Sequence, residues 1–109
     1  MEDLVIYTDG ASRGNPGPAG YAVVVYRENK MIFKTAVSIG KTTNNVAEYL
    51  GCIAALIAGI RLRAQRVVIK TDSQLLQRQV NGDYRTKDEW LQRLGLIVRN
   101  LMACFDRVD

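Results

Sequence analysis

Histidine is missing from all 109 residues. Its absence removes the commonest general base, the usual partner of a nucleophilic serine or cysteine, and the commonest metal ligand. Cysteine is nearly as scarce, with two in the chain. Cys52 lies in an apolar helical pattern and Cys104 near the end, without a CxxC pair, so neither a disulfide framework nor a zinc site is signalled. Any catalysis must therefore rest on carboxylates, metals or lysine. Long apolar runs are also absent: none approaches the roughly 18 residues of a membrane span, and a Met-Glu-Asp opening lacks the basic start of a signal peptide. The expectation is a cytoplasmic protein with no membrane partner. Proline occurs only twice, and both prolines fall in the glycine-rich stretch that becomes the centre of interest below.

What is present suits one compact domain over residues 1–109. The hydrophobic fraction is 48% and the charged fraction 24%, the balance of a folded globule rather than a disordered tail. The net charge of +4 is unevenly placed: residues 1–60 carry five basic and five acidic residues, and residues 61–109 carry ten and six. A basic surplus of this size fits a polyanionic partner but also many domains without one.

Periodicity gives a mixed α/β pattern. "LVIYTD" reads as a buried strand, and "GYAVVVYRENKMIFKTAVSIG" as two more around a polar turn at Arg27 to Lys30, most simply an antiparallel meander. From Asn44 to Ile60 the spacing is helical and nearly the whole circumference is apolar, which predicts a buried helix. "RVVIKTD" then gives a fourth strand from Arg66, followed by a short helix from Ser73 to about Val80. "NGDYRTK" reads as a turn. Asp88 caps a last helix with Leu91, Leu94, Val98, Leu101, Met102 and Phe105 at helical spacing.

Three acids stand out. The first strand ends in Thr8-Asp9 and the fourth in Thr71-Asp72, and ligands of open sheets bind beyond strand carboxyl ends. If the two strands are parallel neighbours, Asp9 and Asp72 meet. Each also has a plain structural explanation: Asp9 before Gly10 can start a turn, and Asp72 can cap the helix that follows. Glu48 is the only charge between Asn44 and Ile60; its plain explanation is a capping box with Asn45 as the cap. A buried carboxylate beside two others, however, needs a compensating cation. Oxygen-rich side chains are the ligands magnesium prefers, and a two-metal site hydrolyses phosphodiesters without histidine. Beside Asp9, residues 10–20 hold four of the nine glycines and both prolines. Such a loop lets backbone approach a substrate closely, with Arg13 and Asn15 as donors, although a plain hairpin has the same composition. It is not a Walker loop, since no Gly-Lys-Ser/Thr closes it.

"YTDGASRGNPGPAGYA", "TTNNVAEYLG" and "IKTDSQLL" resemble, in order and spacing, the three leading motifs of type 1 ribonuclease H. The likeness covers essentially the whole chain. It implies an α/β fold with a mixed sheet, three antiparallel strands followed by a parallel one, and helices on its faces. It also implies hydrolysis of the RNA strand of an RNA/DNA hybrid with two magnesium ions, manganese being an alternative. By position Asp9, Glu48 and Asp72 match three family carboxylates, Asp9 bridging both ions while Glu48 and Asp72 hold the leaving-group metal. Asn15, Asn44, Asn45 and Gln74 match polar contacts to the hybrid, including RNA 2′-hydroxyls. Thr43 matches a DNA-phosphate pocket, and the backbone amides of Gly10, Ala11, Ser12 and Arg13 match minor-groove contacts.

Two departures accompany the resemblance. The basic, tryptophan-bearing extension of some members is absent, leaving Arg85, Lys87, Arg93 and Arg99 as weaker phosphate contacts or simply a solvated helix face. The family's fourth carboxylate lies beyond a fifth strand, and this chain ends at "FDRVD", where that strand would begin; neither Asp106 nor Asp109 sits in the matching motif. The expected consequences are a largely absent fifth strand and last helix, an impaired nucleophile-side ion, and an open fourth-strand edge that invites a homodimer or segment swap. The alternative function is a non-catalytic hybrid-binding module.

Overall fold

The computed structural model describes residues 3–82 and 86–109. Part of the turn expected at 81–87, with Arg85 and its expected phosphate contact, lies outside the described residues. Three strands open the fold: β1 (Asp3–Ser12), β2 (Gly17–Arg27) and β3 (Lys30–Thr42). They form the expected antiparallel meander. Glu28 and Asn29 make the tight β2–β3 turn with φ of 50° and 65°, the positive values that a two-residue hairpin requires to match strand twist. β1 and β2 extend further than the apolar pattern suggested, because the glycine-rich stretch itself pairs: Ala11 lies opposite Gly20 and Ser12 opposite Ala19, and the Arg13 amide donates to Pro18 O at 2.8 Å. Most of that stretch is therefore hairpin, with only Arg13 to Pro16 left as loop.

Helix α1 (Asn44–Arg61) carries the chain back to β4 (Arg66–Lys70), which runs parallel to β1, and α2 (Gln74–Val80) and α3 (Glu89–Met102) follow. The sheet order is β3-β2-β1-β4-β5, where β5 is Arg107–Val108. Along β1, Leu4, Ile6, Thr8 and Gly10 are buried, while Asp3, Tyr7, Asp9 and Ala11 are exposed. The helices pack on the first set. Leu4, Ile6, Val23, Val25, Tyr49, Leu56, Val67 and Val98 form the dry centre of the core, each side chain contributing about 1.5–3 kcal/mol by burial. Small residues let α1 sit close: a Cβ on Gly51 would come within 2.6 Å of Thr8 Oγ1. On its far side Ile57 and Ile60 are exposed at 43% and 36%. The buried helix expected from its apolar circumference is thus buried on its sheet and α3 sides only.

The C-terminal segment corrects another expectation. β5 pairs in parallel with Arg66 and Val67, the Asp109 amide donates to Val67 O at 3.0 Å, and the Ile69 amide donates to Asp109 O at 2.8 Å. The β4 edge is covered along most of its length, so the basis for a dimer or swap through that edge is lost. Phe105, 9% exposed, packs on Gly59 and Val67 and anchors the segment.

Candidate active site

The parallel register of β1 and β4 places Tyr7 opposite Lys70. Because side chains alternate along a strand, Asp9 points to the same side as Tyr7, while Asp72 stands in the turn two residues past the end of β4. Both line one cleft of about 380 Å³ with Tyr7, Thr8, Lys70 and Thr71. A wider groove of about 590 Å³ shares Asp9 and runs along the hairpin past Ser12 and Arg13 to Ser38.

The plain explanations of the three acids are not realised. Asp9 is not in a turn but pairs with Ala22 inside the β1–β2 ladder. Asp72 is not a helix cap, since Ser73 takes that place and its hydroxyl accepts from the Leu76 amide at 3.2 Å. The Thr71 hydroxyl accepts from the Ser73 amide and the Thr71 carbonyl from Gln77 Nε2, so the turn carrying Asp72 is tied on both sides while its carboxylate stays exposed. The capping box at α1 is corrected too. The cap is Thr43, accepting from the Val46 amide at 3.3 Å, and Asn45 lies inside the helix. Among the described residues neither Asp9 nor Asp72 makes a side-chain hydrogen bond or ion pair.

Glu48 reaches this end of the molecule from α1. A Cβ on Gly10 would stand 2.4 Å from the carbonyl of Ala47 and 2.5 Å from the Glu48 amide nitrogen. The first turn of α1 therefore rests directly on β1 one residue past Asp9, and only glycine permits it. Glu48 is half-buried, and its Oε1 accepts from Asn44 Nδ2 at 3.1 Å. Asn44 Oδ1 accepts from the Ser12 amide at 3.2 Å, and the Asn44 amide donates to Asn15 Oδ1 at 3.1 Å. Of the other expected contacts, Arg13, Asn15, Asn45 and Gln74 are exposed, and Thr43 is engaged as the helix cap. Lys87, Arg93 and Arg99 lie on the solvent side of α3 or just before it, with the Arg93 guanidinium 5.2 Å from the centre of the Trp90 ring.

Asp9, Glu48 and Asp72 offer hard carboxylate oxygens suited to a divalent cation of the magnesium type. Asp9 and Asp72 share a cleft and have no competing partner, which fits such an ion. Among the described residues, however, no three acids, cysteines or histidines stand close enough together to hold one. Glu48 is not a lining residue of the Asp9–Asp72 cleft. Asp109 does not complete a set: its carboxylate accepts from Arg107 Nε at 2.7 Å, and its backbone bonds between Val67 and Ile69, short of Asp72.

Lys70 was not singled out from the sequence, although it lies in the cleft with both aspartates. The available signal was its place as the last residue of β4, two residues before Asp72. Nothing local marked Thr8, whose buried hydroxyl has no hydrogen-bond partner among the described residues; its neighbour Gly51 comes from another element.

A mixed sheet of three antiparallel strands and a parallel β4, with helices packed on it and an acid on β1 beside another just past the end of β4, is an α/β domain of the ribonuclease H type. The chain belongs to the RNase H family, whose sequence pattern matches residues 1–103. It is 39% identical over 108 residues to the bifunctional protein Rv2228c of Mycobacterium tuberculosis, spanning 97% of this chain and 30% of that protein. It is 41% identical over 101 residues to ribonuclease HI of Halobacterium salinarum, spanning 92% of this chain and 51% of that one. The chain thus covers about half, or less, of the length of these relatives. Among solved structures, the N-terminal RNase H domain of Rv2228c superposes with a TM-score of 0.94 at 38% identity, covering 98% of this chain and 83% of that one. LC11-RNase H1 in complex with an RNA/DNA hybrid gives 0.87 at 34% identity, covering 96% and 80%.

Proposed function

We propose that this domain hydrolyses the RNA strand of RNA/DNA hybrids, with chemistry centred on Asp9. The observation that carries the reading is the placing of Asp9 and Asp72 in one cleft beside the neighbouring parallel strands β1 and β4, with neither carboxylate engaged elsewhere among the described residues. Membership of the RNase H family supports it. Asp9, Glu48 and Asp72 would hold divalent cations, magnesium or manganese. When bound, such ions supply an activated water on one side of the scissile phosphate and charge stabilisation of the leaving oxygen on the other. The chain's own contribution is orientation: β1 and β4 fix two carboxylates by their register, and Gly10 fixes the approach of α1. The exposed groups around the groove are suited to the duplex. The Arg13 side chain offers charge to phosphate, while Asn15, Asn45 and Gln74 offer amides that can pair with 2′-hydroxyls.

A second reading, a hybrid-binding module without cleavage, is favoured by the lack of three gathered acids among the described residues and by the engagement of Asp109 with Arg107. A labelled hybrid incubated with the protein in magnesium or manganese separates the two. Cleaved RNA supports the nuclease, and a retarded but intact band supports the binder. Asp9→Asn is expected to abolish cleavage while leaving retardation in place; cleavage retained by that variant overturns the assignment of Asp9.

A further inference from the structure

We infer that Asn44 is a positioning residue, a latch that fixes the Glu48 carboxylate to the tip of the β1–β2 hairpin. This rests on the reading of Glu48 as a cation ligand. An asparagine amide has one acceptor oxygen and two N–H donors. In this chain the oxygen accepts from the Ser12 amide at 3.2 Å, and Nδ2 donates to Glu48 Oε1 at 3.1 Å. The two bonds fix each other's sense: turning the amide over would set donor against donor at Ser12 and oxygen against oxygen at Glu48. Asn44 is also the first residue of α1, whose leading N–H groups lack intrahelical partners, and its amide finds Asn15 Oδ1 at 3.1 Å. One residue thereby ties together the end of β1, the loop from Arg13 to Pro16 and the first turn of α1.

The four-residue spacing from Asn44 to Glu48 puts both side chains on one helix face. With the Glu48 amide nitrogen already resting on Gly10, the carboxylate is held from its backbone end and from its tip. Oε1 accepts one hydrogen bond from Asn44, which leaves its second lone pair and Oε2 for a cation. The resemblance assigns Asn44 to the hybrid, but only one of its side-chain N–H groups remains uncommitted. Its principal role is therefore internal, and the hybrid contacts fall to Asn15, Asn45 and Gln74.

The test is binding of Mn²⁺ alone, by isothermal titration calorimetry, to the wild-type chain, Asn44→Ala and Glu48→Gln, alongside steady-state cleavage of a hybrid. Loss of a partner that orients a ligand weakens metal affinity about 10–100-fold, so Asn44→Ala is expected to bind Mn²⁺ at least about tenfold more weakly. Its kcat is expected to fall while its KM for the hybrid stays within about twofold. Unchanged Mn²⁺ affinity with a raised KM overturns the latch and returns Asn44 to the substrate. If Glu48→Gln binds Mn²⁺ as the wild type does, the cation reading of Glu48 fails, and that result is independent of Asn44. Amide hydrogen exchange on the wild type covers the case in which Asn44→Ala does not fold. The Ser12 amide is expected to be protected, and to exchange faster in Asn44→Ser; a Ser12 amide that exchanges freely in the wild type overturns the latch.

Discussion

A methyl group on Gly10 would collide with backbone rather than with a side chain able to turn aside, since the nearest atoms are the carbonyl carbon and oxygen of Ala47 at 2.4 Å. Gly10→Ala must therefore push α1 off β1. Overpacking of this kind costs about 1–3 kcal/mol, to be read from chemical denaturation, and any hybrid cleavage is expected to fall further than the lost stability explains because Glu48 moves with the helix. Cys52 offers a second single-residue test. Burial pushes its thiol from 9.0 up to about 12, so the folded protein keeps the proton that the unfolded chain releases above 9.0. Stability should then decline between pH 9 and 12, by up to about 1.4 kcal/mol per pH unit from this group. Thermal melts of Cys52→Ala should show a shallower decline over that window, and a thiol reagent should label exposed Cys104 while leaving Cys52 intact at pH 8.

Each helix begins on a side chain that accepts from the amide three residues on: Thr43 for α1, Ser73 for α2 and Asp88 for α3. The last was legible, because an acid directly before a helical apolar pattern is a strong start signal. The first was not, since "TTNN" offers four capping-competent residues in succession and only the folded structure shows that Thr43 is the one used. Thr43→Ala is expected to cost about 1 kcal/mol, and Thr43→Ser to restore most of it. If Thr43→Ser is as unstable as Thr43→Ala in urea denaturation, the hydroxyl is not the cap. The long β1–β2 hairpin was hidden for a related reason. Glycine and proline weaken a strand pattern, yet here Gly17 is required by a close approach to Arg13 O across the hairpin and Gly20 by one to Val37 O of β3, contacts that exist only once the three strands have paired.

At the scale of the molecule, the last four residues decide the behaviour of the sheet edge. Asp106 donates to Gln65 O, Asp109 donates to Val67 O, and Asp109 O accepts from Ile69. Removing residues 106–109 should leave β4 with unpaired backbone groups, an arrangement that promotes association between chains. Size-exclusion chromatography over a range of concentrations is expected to show a constant elution volume for the full chain and a growing dimer or larger species for the shortened one. Equal behaviour of the two would mean that the edge has no such role.

The order of strands and helices, the core stripe of α3 and the identity of the three acids were all written in the sequence, because they depend on periodicity and residue type, which are local properties. The absence of histidine narrowed the candidate chemistry to carboxylates, metals or lysine before any geometry was known. Tertiary structure alone decided three further matters: the strand pairing that brings Asp9 and Asp72 into one cleft, the Asn44 hydrogen bonds that tie Glu48 to the hairpin, and the closing of β4 by the C-terminal segment. Each joins residues far apart in the chain, and such pairings are fixed by packing and backbone hydrogen bonding between elements, which no stretch of sequence read by itself contains.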